Sequence, residues 1–431
     1  MPYNKNQANR LTGLALWLPL FLIVSLFFMW GVANNLNDIL ITQFKKAFAL
    51  SDLQSGLVQS AFYFGYFVFA IPAALAMKRF GYKPAVIVGL LLYGAGALLF
   101  YPAVQANKYE FFLAALFVIA SGLAFLETSA NPLIVAMGDP NTAERRLNFA
   151  QSFNSLGTIA GVLIGREFIL SGVEHGPGEL AALSEEQQAA FYSAEVQAVQ
   201  GPYLAIAAVV IVWALWVAWV KFPVLAKKHD APEHTIRKRD FSALLKRPYY
   251  RAAVVTQFFY VGAQVCVWSF MIRYGQEAMP DTGEKNLATY LSFSLMAFMV
   301  GRFASTWLMG YVKPARLMLI YALLNIVLCT TAMFSVNQVG LIALAATSFF
   351  MSLMFPTIFA LAIKNLGPEL KAGSSLLVMA IIGGAVLTAL MGLISDISSI
   401  HTAVAVPLVS FVAVALFARA SERHYGPGQR I

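Results

Sequence analysis

The sequence predicts an all-α membrane protein of twelve transmembrane helices arranged in two six-helix halves. Three observations carry this expectation. Of the 431 residues, 59% are hydrophobic and only 12% are charged, which is membrane composition. Apolar stretches of about 20 residues, the length that crosses a bilayer, recur along the whole chain. Short signatures also repeat about half a chain apart, as a duplicated unit would make them.

Taken in order, the expected spans cover 17–41, 55–77, 84–104, 109–137, 147–170 and 202–220, then 250–274, 286–309, 314–334, 340–363, 372–395 and 400–420. The apolar run behind Lys5 and Arg10 is longer than the roughly 7–15-residue core of a signal peptide, so it reads as a retained first span. Lysine and arginine placement orients the bundle. With both termini cytoplasmic, that side collects 23 of the 30 basic residues, including Lys78, Arg79, Lys83, Arg145, Arg146, Lys313, Arg316, Lys364 and Lys371. Residues 171–201, between spans 5 and 6, hold five glutamates and no lysine or arginine, as an exterior loop should.

Domain boundaries follow: an N-terminal half over 1–220, a cytoplasmic linker over 221–249 and a C-terminal half over 250–431. The linker concentrates proline and positive charge and serves topology. It is too short and too close to the membrane for nucleic acid, so the net charge of +9 implies no such partner. The repeats relate the halves. Gly81, Lys83 and Pro84 match Gly310, Lys313 and Pro314; Pro132 matches Pro356; Gly157 and Gly161 match Gly383 and Gly384. Halves related by an axis along the membrane normal place a substrate site at their interface near mid-membrane, with rocking as the route to alternating access.

Several chemistries are excluded or unsupported. There is no GxxxxGKS/T phosphate loop, no HExxH and no GxSxG, so ATP hydrolysis within the chain is excluded and hydrolytic chemistry has no residue set. An enzyme is not expected. Cys266 and Cys329 sit in apolar spans and suggest neither a disulfide framework nor a metal site, and no cofactor is expected. No segment is long enough for the soluble signalling domain that a membrane receptor would add.

The polar residues inside the spans carry the functional reading. In span 1, FFMWGVANNLNDILI turns abruptly polar, and Trp30, Asn34, Asn37 and Asp38 fall on one helix face with Asn35 at its edge. A carboxylate there costs roughly 2.5–3.5 kcal/mol on insertion scales, so the stripe is expected to face a water-filled cavity. Span 4, FLETSANPLIV, places Glu127 about ten residues, or roughly 15 Å, from the inner end, too deep for a glutamate to snorkel. Pro132 frees a carbonyl one turn earlier, which a cavity or neighbouring helix can satisfy.

Span 5, RRLNFAQSFNSLGTIAG, puts Gln151 and Asn154 at a similar depth. Span 7 repeats the theme without charge: Gln257, Tyr260, Gln264 and Trp268 recur at helical spacing. Such groups can simply join helices, at about 0.6 kcal/mol per hydrogen bond. Amides would do that without a charge to desolvate, so Asp38 and Glu127 point further: an acid can shed that cost by taking a proton, as a proton-coupled carrier requires. Amides and carboxyls reaching paired hydroxyls, with an aromatic ring on the C–H face, suit a neutral sugar. Trp30 and Trp268 are read either as that ring or as packing. Arg302, with a stem able to reach the inner interface, is read as structural.

FFMWGVANNLNDILI, SDLQSGLVQSAFYFGYFVFAIPA, FLETSANPLIV and RRLNFAQSFNSLGTIAG together resemble the L-fucose/proton symporter group of the fucose–galactose–glucose/proton symporters, a branch of the major facilitator superfamily. GRFASTWLMG and FPTIFALAIKNLG extend a weaker similarity into the second half. The resemblance implies a fold of the major facilitator type and a bacterial inner-membrane carrier that imports a hexose with protons, acting as a monomer in the lipid bilayer. It implies that Asp38 serves both sugar and proton, that Glu127 is the second coupling acid, and that Asn35, Gln151 and Asn154 lie on the sugar path. L-fucose is the expected sugar; glucose or galactose, coupled to protons or sodium, is the alternative.

Overall fold

The structure, a computed structural model, describes residues 14–48, 50, 52–136, 139–169, 184–220 and 238–424; the side chains of some residues within its helices, Asp38 among them, lie outside that description. The described chain is helical throughout, with no strand among the described residues. Six long helices form the first half: α1 (Leu14–Ala47), α2 (Asp52–Phe80), α3 (Tyr82–Leu98, continued by Phe100–Ala106), α4 (Tyr109–Ala136), α5 (Ala143–Phe168) and α6 (Gln200–Trp219). The second half holds α7 (Pro248–Ala278), α8 (Glu284–Leu308), α9 (Pro314–Phe334), α10 (Gln338–Met351 and Met354–Ile363), α11 (Leu370–Met379 and Gly383–Ile397, joined by the 3₁₀ turn Ala380–Ile382) and α12 (Ile400–Ala403 and Ala405–His424).

These twelve match the expected spans in order, with every end within six residues of the expected one. Local chemistry sets several of the ends. Pro248 and Pro314 open α7 and α9 at the first turn, where the missing N–H costs nothing. Asn337 caps α10 by accepting from Val339 N and Gly340 N. An additional helix, Glu185–Gln197, lies in the acidic loop and begins with a Ser184/Gln187 capping box. Of the expected linker, 221–237 lies outside the described residues, whereas Lys238–Lys246 is a short helix.

Ten helices among the described residues are long and apolar enough to cross a membrane. The other two are α1, of which Phe21–Asn37 is the apolar stretch among the described residues, and α5. Both carry polar residues that face inward, and they pack along each other. Leu91, Val212, Phe293, Val327 and Leu416 show the opposite pattern, large apolar side chains exposed on the outside of the bundle, as lipid contact requires.

The halves repeat one packing scheme. The α1/α5 contact has its counterpart in α7/α11, α2/α4 in α8/α10, and α3/α6 in α9/α12. At the first pair, a Cβ on Gly157 would collide with the main-chain oxygen of Phe28; at the second, a Cβ on Gly383 would collide with that of Phe258. Glycine is required at both because the neighbouring backbone occupies the space. Across the halves, α2 meets α11 and α5 meets α8 and α10.

Candidate functional site

Those crossings enclose a cavity of about 950 Å3, its mouth included, near the middle of the bundle. From α1, Trp30, Asn34, Asn35 and Asn37 line it, as the helical spacing predicts. The backbone of Asp38 continues α1, and its side chain lies outside the described residues. Glu127 enters from α4, Gln151 and Asn154 from α5, and Gln264 and Trp268 from α7. Gln257, expected to join them, is fully buried and absent from the lining.

The amides of the first half are held in place by hydrogen bonds within that half. Gln151 Nε2 donates to Asn131 Oδ1 at 3.1 Å, Asn154 Nδ2 to Phe27 O at 3.2 Å, and Asn37 Nδ2 to Gln59 Oε1 at 3.3 Å. Tyr66 donates its hydroxyl to Glu127 Oε1 at 3.3 Å. Other valences stay open: Asn34 Oδ1, Asn37 Oδ1, Glu127 Oε2 and Asn131 Nδ2 have no hydrogen-bond partner among the described residues. A buried polar group left unsatisfied costs roughly 1–3 kcal/mol, and Asn34, Asn37 and Glu127 border the cavity, so hydroxyls of a ligand would lower that cost by donating to their open oxygens.

Both tryptophans line the cavity. Trp268 donates Nε1–H to Ser348 Oγ at 3.1 Å and meets Phe298 edge to face, with centroids 5.0 Å apart. Trp30 leans on Phe27 at 4.2 Å. Each ring is anchored by packing and still borders the cavity, so the two readings of these residues are compatible.

Arg302 is structural, as expected, but stays inside the bundle and does not reach an interface. It is 3% exposed and lines the cavity. Pro356 offers no N–H to the carbonyl of Ser352, and Arg302 Nε donates to that oxygen at 2.9 Å. Its Nη1 donates to Gln151 O at 2.7 Å and to Gln151 Oε1 at 3.3 Å, and its guanidinium lies 4.6 Å from the Phe298 ring centre. One side chain thus joins α8, α10 and α5 beneath the cavity. Sequence reading also missed Gln59, Tyr63 and Tyr66 on α2, whose apolar context hid them. For Arg302 a signal did exist: a proline in span 10 whose orphaned carbonyl needs a donor.

Further polar contacts between the halves gather at the end of the bundle rich in lysine and arginine. Lys364 pairs with Glu144 at 2.9 Å, Arg145 Nε donates to Thr306 O at 3.1 Å, and Asn148 Nδ2 to Thr357 Oγ1 at 3.1 Å. Lys371 of α11 stands 5.2 Å from the Tyr82 ring centre of the other half. The cavity is therefore closed at its basic end.

Comparison with known proteins agrees with this architecture. The family model described as Major Facilitator Superfamily matches residues 20–380. The chain is 45% identical over 405 residues to the L-fucose-proton symporter of Escherichia coli strain K12, covering 93% of this chain and 92% of that protein. It is 34% identical over 414 residues to a glucose/galactose transporter of Brucella abortus biovar 1 strain 9-941, covering 96% and 94%. A crystal structure of a Major Facilitator Superfamily transporter, FucP, in the outward conformation superposes with a TM-score of 0.84 at 46% identity, covering 94% of this chain and 98% of that one.

Proposed function

This chain belongs to the Major Facilitator Superfamily, and on that premise we propose that it is a secondary active transporter that imports L-fucose by proton symport with alternating access. It is a transporter and not an enzyme. The observation that carries the reading is the cavity between the halves, lined by amides and Glu127 with open hydrogen-bonding valences and bordered by two tryptophans. The similarity to the E. coli L-fucose-proton symporter supplies the sugar.

In this reading the basic end is cytoplasmic, both termini lie on that side, and the membrane is the bacterial inner membrane, where the protein acts as a monomer. The halves are 1–220 and 250–431, with 221–249 as the cytoplasmic linker. The present arrangement, closed at the basic end, is the outward-facing one. Asp38 takes up a proton and meets the sugar; Trp30, Asn35, Gln151, Asn154 and Gln264 bind it. Rocking of the halves then breaks the contacts around Glu144, Asn148 and Arg302, and Glu127 helps release the proton inward.

A second reading, glucose or galactose import coupled to protons or sodium, is supported by the relative from Brucella abortus. Both are tested by adding single sugars to de-energised cells and recording the pH of the medium, with and without sodium. Alkalinisation on L-fucose alone, independent of sodium, is expected. Absence of a response to every sugar overturns the symport reading.

A further inference from the structure

On α7, Val261, Gln264, Val265 and Trp268 line the cavity, and Val261 is the lowest of them towards the basic end. Gln257 lies one turn below Val261 on the same face, about 6 Å further along the axis. It is 0% exposed, and neither its Nε2 nor its Oε1 has a hydrogen-bond partner among the described residues. Leaving both ends of an amide unpartnered is expensive. Above it, Tyr260 and Phe355 face each other with ring centres 6.4 Å apart, and Phe355 forms part of the cavity wall. Gln257 thus continues the cavity's amide stripe one turn beyond the lining, on the same side of α7 as Tyr260. Asn325 is also buried with both ends unpartnered, but it sits on α9, which contributes nothing to the cavity.

We propose that Gln257 is a sugar-binding residue of the inward-facing state. The inference rests on the transport reading above and deepens it. Separation of α10 from α5 at the basic end draws Phe355 away from Tyr260 and opens the next turn of α7 to the cavity. The amide then donates to one sugar hydroxyl and accepts from another. Its open valences in the present state are filled only after the cavity has turned, which gives the sugar a station on the cytoplasmic side and favours that turn when ligand is present.

The test is side-specific L-fucose counterflow in oriented proteoliposomes, comparing the native protein with Gln257→Leu. The substitution keeps the volume and removes the unpartnered amide, so folding is expected to hold. The half-saturating sugar concentration at the cytoplasmic face should rise about tenfold, the loss of one or two neutral hydrogen bonds, with the outer face within about twofold of native. An equal change at both faces, or none, overturns the inference.

A second measurement uses Gln257→Cys and a membrane-impermeant maleimide applied from the cytoplasmic side, with the native protein, whose Cys266 and Cys329 are buried, as background. Labelling during turnover and protection by L-fucose are expected; labelling indifferent to sugar counts against the role. Absence of hexose counterflow in the native protein overturns the transport reading and this inference with it. Normal native counterflow with unchanged Gln257→Leu constants overturns this inference alone.

Discussion

Arg302 donates from Nη1 to the main-chain oxygen of Gln151 at 2.7 Å, binding the second half of the molecule to the first beneath the cavity. The same guanidinium fills the valence that Pro356 leaves open on Ser352. It is therefore both a helix repair and a clasp between halves, and the first of these roles explains why the charge is fixed where the second can use it.

Replacing Arg302 by Lys keeps the charge but loses the planar fork, so the Ser352 and Gln151 contacts cannot both be kept. Initial uptake rates should fall at least tenfold, and the cytoplasmic side should become more accessible to impermeant thiol reagents at reporter cysteines there. Unchanged uptake and accessibility would remove Arg302 from the clasp.

Glu127→Gln should leave L-fucose exchange in liposomes largely intact while proton-driven accumulation fails, because the amide retains the contact with Tyr66 but carries no exchangeable charge. Undiminished accumulation would sink its coupling role.

Asp38→Asn should impair both sugar binding and uptake, since the proposed role of Asp38 joins the two. Equilibrium binding of labelled L-fucose separates this from Glu127→Gln: binding survives in the second variant and weakens in the first.

Glu144 and Lys364 form an ion pair in which the glutamate is almost fully enclosed, its side chain 4% exposed. A double-mutant cycle on thermal unfolding in the sugar-free state should give a coupling of roughly 1–3 kcal/mol. The swap Glu144→Lys with Lys364→Glu should recover part of what either single change loses. A coupling near zero would make the pair irrelevant to closure.

Gly157→Ala should destabilise the protein by several kcal/mol, on the order of 3, because the added Cβ meets the backbone of Phe28 and not a side chain able to turn away. Gly201→Ala, with nothing near its added Cβ, is the neutral comparison. Expression level and thermal unfolding distinguish them, and equal behaviour would mean that α1 and α5 can part freely.

Much of the site was legible because a helix converts spacing into direction. Trp30, Asn34 and Asn37 lie four and three residues apart, so one face was predictable before any packing was known, and it is the face that meets the cavity. Gln264 and Trp268 followed the same rule. Gln257 obeys it in direction but not in depth: it is fully buried one turn below the lining, where α7 packs against α10, a helix nearly a hundred residues away in the chain. The depth of Arg302, though not its structural role, escapes the sequence for a related reason. A long cationic stem beside an interface snorkels by default, and the opposing pull comes from carbonyls on α5 and α10 that no local pattern brings to α8.

By itself, then, the sequence determined the twelve-helix plan, the duplication and the polar faces, because hydropathy, bilayer thickness and the 3.6-residue turn act locally along the chain. Only the tertiary structure decided which end of the cavity is closed and which polar groups stay unpartnered within it. Closure depends on pairs such as Glu144–Lys364 and Arg302–Gln151, whose partners are far apart in the chain and meet only when the two halves pack.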